Sequence, residues 1–337
     1  MIKPEHSNTK IVPVLDSLRA FAALSVCLFH FICTVIGFTS NKWLLLVFGY
    51  GHYGVQVFFV ISGFIIPWAM FYGRYQIRDF FTFTAKRLIR LEPPYLVSLF
   101  LAILITYVRT MSPHYNGIDT TPTLKQILLH FGYLIPFFEG ERWIRNIYWT
   151  LAIEFQYYIT IGLLFPLIES KRIIVRVIVY ISFIAAPLIS GIAFLPHYLP
   201  VFLLGILLFL YKTRVIKDLE FYIVSFLACL SILWFHNAAT LCFSFATYIV
   251  ILKFQNFKSR IGDFLGRISY SLYLFHGIVG MTFLNYIVHI TNSGVIKFLC
   301  LIAALIITII FSYLVFRFVE QPSKKMSSAI RYKKRTK

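Results

Sequence analysis

LDSLRAFAALSVCLFHF, residues 15–31, decides how the whole chain is read. The stretch is apolar enough for lipid, yet Asp16 and Arg19 stand at one end and His30 lies deep inside. Eleven helical residues rise about 16 Å and turn through about 1100°, three turns plus roughly 20°. A helix here puts Arg19 and His30 on one face, with the histidine well inside a bilayer. Ionisable groups at that depth are costly, so they face a bundle interior or a wet cavity and mark function by default. Two readings stand for Arg19: it snorkels to the interface, or it points into a cavity. For His30 the rival reading is a structural histidine bonded to a neighbouring helix.

The surroundings agree with lipid. Of 337 residues, 59% are hydrophobic and 13% charged, with mean hydropathy +0.78; soluble chains run near about 25% charged. No alternating ten-residue segments suggest a barrel. Apolar runs fall near 13–37, 48–72, 93–111, 147–168, 174–194, 198–211, 220–236, 238–253, 267–290 and 295–318. They predict an all-α integral membrane protein, a bundle of about ten transmembrane helices. The first run is too long and too charged for a cleaved signal peptide, so it reads as the first span. Residues 124–138, LKQILLHFGYLIPFF, are too short to cross and read as interfacial or re-entrant on the outer side. The whole of 1–337 reads as one polytopic domain, with 320–337 a basic cytoplasmic tail.

The net charge of +19 does not point to nucleic acid, because the cations gather between apolar runs on one side. With that layout Lys42, Arg109, Lys125, Arg142, Arg145 and Lys297 fall outside, and every other Lys and Arg falls inside. That is the positive-inside pattern, which sets both termini in the cytoplasm and an even number of crossings. A cationic inner face also favours anionic membrane lipid and anionic cytosolic ligands. The five cysteines, all within apolar runs, read as small hydrophobes. A thiol relay from Cys27 to His30 is the chemical alternative.

Several polar residues interrupt this pattern. In AKRLIRLEPPY, Lys86, Arg87 and Arg90 share a helix face if the helix continues through them, and Pro93–Pro94 then break or kink it. Such a cluster is either a phosphate clamp or an anchor to lipid headgroups. Glu154, in WTLAIEFQYY, lies inside a run. Counting from the outer end it is about 10 Å deep, and His30 is about 25 Å from the inner end of a core about 30 Å thick. Glu154 could then orient or charge His30, or pair with Arg142 or Arg145. His276 lies at mid-depth and His52 at the interface. Gly51, Gly54 and Gly63 permit close helix approach. Glu320 invites an i,i+3 pair with Arg317. Metal-ligand, P-loop and hydrolase motifs are missing, and no metal is expected.

Six stretches in order, LDSLRAFAALSVCLFH, GVQVFFVISGF, KRLIRLEPPY, WTLAIEFQYY, LGRISYSLYLFH and FRFVEQP, make the chain resemble the membrane acyltransferase-3 family of bacterial sugar O-acyltransferases. The resemblance implies O-acyl transfer from cytoplasmic acyl-CoA, most often acetyl-CoA, to a hydroxyl of a glycan or lipid-linked sugar, in the bacterial inner membrane. It assigns the family's first-span pair to Arg19 and His30, the basic motif to Arg87 and Arg90, and the family's acidic and histidine positions to Glu154, His276 and Glu320. On that reading Arg87 and Arg90, with Lys86 and Arg19, hold the CoA phosphates, and His30 is general base or acyl carrier. The chain departs from the family at Lys86, Glu92 and the Thr of WTL. Relatives often add a periplasmic hydrolase-like domain; this sequence ends soon after its tenth run. That leaves acceptor recognition to the membrane domain and its outer loops, or to another protein, and an oligomer or a separate periplasmic partner is a further expectation. The competing class is a proton-coupled transporter or flippase, which would consume no acyl-CoA.

Overall fold

The computed structural model describes residues 12–111 and 121–332. Lys3, Lys10, Lys333, Lys334, Arg335 and Lys337 from the charge pattern lie outside the described residues. Fifteen α-helices and no strand occur among those described. They are α1 Val14–Phe29, α2 Lys42–Gly49, α3 Gly54–Tyr72, α4 Phe80–Thr110, α5 Leu124–His130, α6 Trp149–Ile168, α7 Ile173–Ala185 and α8 Leu199–Lys212. Then follow α9 Asp218–Phe235, α10 Ala238–Lys253, α11 Arg260–Arg267, α12 Ser269–Phe275, α13 Gly280–Ile290, α14 Gly294–Val315 and α15 Gln321–Ala329. Starts are marked locally: Asn237, Ser259 and Ser293 each turn a side-chain oxygen onto a free N–H of the first turn, the usual remedy for unpaired helix donors.

Seven helical stretches among the described residues are long and apolar enough to cross a membrane. The apolar run at 267–290 is instead a broken pair, α12 and α13, bent by 41°. The runs at 174–194 and 238–253 give shorter apolar helices. The bundle's rim carries large apolar side chains, such as Phe226 at 63% and Ile181 at 61% exposure, a surface that only lipid covers cheaply. The chain is a multi-pass membrane protein.

Close helix approach at the glycines is realised. A Cβ on Gly51 would sit 2.3 Å from Ser25 O, one on Gly54 2.5 Å from Ala22 O, and one on Gly63 2.2 Å from Phe202 O. These contacts seat α1 and α8 against α3. Gly266 likewise lets α11 touch Asp16 O, where a Cβ would lie 2.2 Å away. α7 is tied to α9 by a two-pronged pair, Arg176 Nε to Glu220 Oε1 at 2.7 Å and NH2 to Oε2 at 2.6 Å.

One sequence expectation is revised. α4 does not break at Pro93–Pro94 but runs unbroken from Phe80 to Thr110. The prolines leave the carbonyls of Ile89 and Arg90 without their helical donors, a cost that a packed membrane helix tolerates; beside them Tyr270 OH donates to Leu91 O at 2.9 Å. Beyond α14, residues 321–329 are helical. They continue α14 through a π-helical turn, Phe316–Glu320, into α15, which packs on α4. Small residues make that contact: Ser323 and Ser327 are buried, and Ser327 Oγ donates to Lys86 O at 2.8 Å. Helix α6 begins at Trp149. The stretch before it dips beside the middle of α4, where Tyr95 OH donates to His130 O at 3.1 Å. Helix α5, seven residues long, is about 10 Å in length and cannot cross.

Candidate active site

α1, α3, α4, α6 and α12 surround a cavity of about 250 Å³. Its cationic end is built by Arg19 of α1 and Arg87 and Arg90 of α4, one helical turn apart on the same face. Arg19 holds Asp16 Oδ1 at 3.3 Å. Arg87 lies over the rings of Phe83 and Tyr158, 5.5 and 5.4 Å from their centroids. Neither Arg87 nor Arg90 has a carboxylate within ion-pair distance among the described residues. Two guanidinium groups facing a void without a paired anion suit an anionic guest.

Glu154 shares this end of the cavity rather than the neighbourhood of His30. Its Oε1 accepts from Ser62 Oγ at 3.2 Å and from Tyr158 OH. Glu154 lines the same cavity as Arg19, Arg87 and Arg90. Lys86 Nζ donates to Ile330 O at 2.6 Å and lies 5.4 Å from the Tyr332 ring centroid.

Glu320 also reaches the cavity wall. It is 1% exposed and pairs with Lys324 Nζ at 2.6 Å, while its Oε2 accepts from Ser271 Oγ at 2.6 Å. The pair with Arg317 expected from spacing is not formed; Arg317 donates to Gln321 Oε1 at 3.1 Å. The π turn rotates Glu320 inward and Arg317 outward.

At the other end the cavity stops on Tyr273 and Thr150, whose hydroxyls lie 2.8 Å apart. Beyond Tyr273 lies a histidine pair. His276 and His30 have ring centroids 4.9 Å apart. His276 is fully buried, its Nδ1 lies 2.7 Å from Tyr273 O, and its Nε2 has no partner among the described residues. The carbonyl can only accept, so Nδ1 carries the proton and Nε2 presents a lone pair. His30 opens a π-helical turn, His30–Thr34, a distortion frequent at functional sites. His52 stands on the far side, linked through Phe29, with centroids 5.3 Å from His52 and 5.0 Å from His30. The five cysteines are free thiols, and Cys27 is fully buried in a small apolar cluster with Phe31 and Ile32.

Sequence reasoning missed Ser62, Thr150, Tyr158, Tyr273 and Lys324. All but Lys324 sit in the quoted motifs, but hydroxyls are routine in packed spans and carried no separate signal. Lys324 was assigned to a tail. Among the described residues no group of three or more His, Cys, Asp or Glu is placed to hold a metal ion.

A helical membrane bundle around an internal cationic chamber, with a buried histidine pair past its far end, is the class these features define. Residues 12–317 match the acyltransferase domain model of the acyltransferase-3 family, and the chain belongs to that family. Among curated proteins, the O-acetyltransferase OatA of Staphylococcus aureus strain NCTC 8325 / PS 47 is 26% identical over 372 residues, covering 94% of this chain and 58% of the relative. OatA of strain COL matches to the same extent. The chain therefore spans less than two thirds of the length of these relatives. No solved structure gives a significant match.

Proposed function

We propose that this protein is an O-acyltransferase that moves an acyl group, acetyl in the first instance, from cytoplasmic acyl-CoA to a hydroxyl of a glycan or lipid-linked sugar. Ten crossings with both termini in the cytoplasm of a bacterial inner membrane complete the proposal. The observation that carries it is the cavity itself, which runs from Arg87 and Arg90 to Tyr273, within a helical turn of the His30–His276 pair. The name of the OatA relatives supports the acetyl group, and the unpaired guanidinium groups support a phosphate-bearing donor.

In this reading Arg87 and Arg90, with Arg19 near by, hold the pyrophosphate of the donor. Glu154 is a positioning residue at the cationic end, held by Ser62 and Tyr158. The pantetheine arm lies along the apolar wall formed by Phe58, Ile65 and Leu151. His30 takes the proton of the acceptor hydroxyl as its oxygen attacks the thioester carbon. His276 Nε2, a lone pair with no other partner, stabilises the imidazolium so formed. The tetrahedral intermediate collapses with cleavage of the C–S bond, and the departing sulfur recovers the proton from His30.

The test is acceptor-dependent release of CoA from labelled acetyl-CoA by the purified protein in lipid, with an envelope glycolipid extract. Release by wild type and loss in His30→Ala and Arg90→Ala is the expected result. Absence of release, together with absence of acetyl-CoA binding by calorimetry, would overturn the proposal and return a transporter to first place.

A further inference from the structure

A second chamber of about 690 Å³ opens where α4 meets α15. It shares Arg87, Arg90 and Lys324 with the inner cavity, so the two are adjoining chambers with a cationic junction. Its outer wall comes from the chain beyond α14: Ser327 and Ser328, then the extended segment Ile330, Arg331 and Tyr332. That segment is fixed in place. Lys86 Nζ bonds Ile330 O at 2.6 Å, Tyr332 packs on Tyr75 with centroids 6.0 Å apart, and a Cβ on Gly73 would lie 3.2 Å from the Tyr332 ring.

The lining of this outer chamber holds five cationic side chains, of Lys86, Arg87, Arg90, Lys324 and Arg331, and no carboxylate. It also offers Tyr332, Phe83 and Met70 as flat or soft apolar surface. Its size is within the range of small-molecule sites, about 300–1,000 Å³. Its chemistry calls for a ligand with several negative charges and one planar apolar group. A simple inorganic anion would leave most of the space empty, and a pantetheine chain alone would leave Arg331 and Tyr332 without a role.

We infer that the segment Gln321–Tyr332 forms the wall of a nucleotide subsite, in which Arg331 and Lys86 face a ribose phosphate and Tyr332 faces a purine base. This rests on the acyl-CoA reading and deepens it: the chain would select a full adenosine 3′,5′-bisphosphate head rather than any phosphopantetheine carrier. The charge-bearing head would occupy the outer chamber, the pyrophosphate the shared arginines, and the thioester arm the inner cavity. The same cations would suit an anionic lipid headgroup, which has phosphate but no base.

The experiment is calorimetry on the full chain in phosphatidylcholine nanodiscs with three probes: CoA, 4′-phosphopantetheine and adenosine 3′,5′-bisphosphate. Wild type is expected to bind CoA about tenfold or more tighter than 4′-phosphopantetheine, a gap typical of a few added charge-assisted contacts. Arg331→Ala and Tyr332→Ala should each weaken CoA and the bisphosphate by about tenfold and leave 4′-phosphopantetheine unchanged. Arg331 is exposed, so its removal opens no core. Equal wild-type affinity for CoA and 4′-phosphopantetheine, or variants that weaken all three probes alike or none, would overturn the inference while leaving the donor reading intact. Bisphosphate binding without CoA binding would support the subsite and overturn the donor reading. Binding of none would overturn both. Loss of bisphosphate binding in phosphatidylglycerol nanodiscs would reassign the chamber to lipid and overturn the inference.

Discussion

His276 presents an unpartnered Nε2 in a fully buried position, with the His30 ring 4.9 Å away, centroid to centroid. An unsatisfied buried acceptor costs about 1–3 kcal/mol. Its retention beside a second imidazole is explained if the lone pair receives a proton donor during the reaction. His276→Ala should then lower kcat by about 100-fold, in the range of lost acid–base assistance. KM for acyl-CoA should stay within about threefold, because the histidines lie beyond the donor cavity. Steady-state kinetics on the two variants, His276→Ala and His30→Ala, separates the parameters; a change confined to KM would contradict the assignment.

Arg90 faces the junction of the two chambers without a carboxylate partner among the described residues. Arg90→Ala should raise KM for acetyl-CoA by about tenfold or more, the loss of one two-pronged charge-assisted contact. Arg90→Lys should recover only part of the loss, since an ammonium cannot reproduce the planar fork. Full recovery by lysine would mean that charge alone matters there.

The crossing of α3 and α8 depends on Gly63. A Cβ there would meet Phe202 O at 2.2 Å, a backbone atom that no rotamer change can move. Gly63→Ala should therefore destabilise the bundle by about 1–3 kcal/mol, the usual cost of overpacking. A thermal midpoint in detergent indistinguishable from wild type would show that the two helices separate freely.

How far the sequence led is best seen at four residues. Arg19 and His30 were legible as ionisable residues in an apolar run; the structure sets Arg19 on the cavity wall and His30 beside His276. Glu154 was legible as a misfit but not as a neighbour of Arg87. That neighbourhood depends on how α4 and α6 pack, a tertiary feature that no periodicity reports. Lys324 was hidden by composition, since a basic polar run after the last apolar segment looks the same whether it hangs free or packs. The small serines at 323 and 327 were the one local sign that α15 would lie against another helix. The prolines of α4 misled for a related reason: their cost is set by what neighbouring groups supply to the backbone.

The dipping stretch before α6 carries its own pH dependence. His130 Nδ1 lies 2.7 Å from Gln126 O, and Ile144 N donates to its Nε2 at 3.1 Å, so this ring must be neutral. Burial lowers its pKa from the ordinary 6.5, partly offset by the bond to Gln126 O. When this stretch opens, the ring takes up a proton near the ordinary value; when closed, only at lower pH. The closed form is thus fully favoured above about pH 6.5 and loses ground as pH falls below it. Amide exchange over residues 124–146 should accelerate between pH 7.5 and pH 5 beyond its intrinsic pH dependence, and His130→Gln should flatten that change. An unchanged protection factor would contradict this.

The most direct test of the central claim is the position of a bound donor. A cryo-EM map of the protein in nanodiscs with a thioether analogue of acetyl-CoA would supply it. The account predicts phosphate density against Arg87 and Arg90 and the thioether sulfur of the arm at Tyr273, facing His30 and His276. An analogue bound elsewhere, or lying along the lipid-facing rim with the cavity filled only by water, would contradict it.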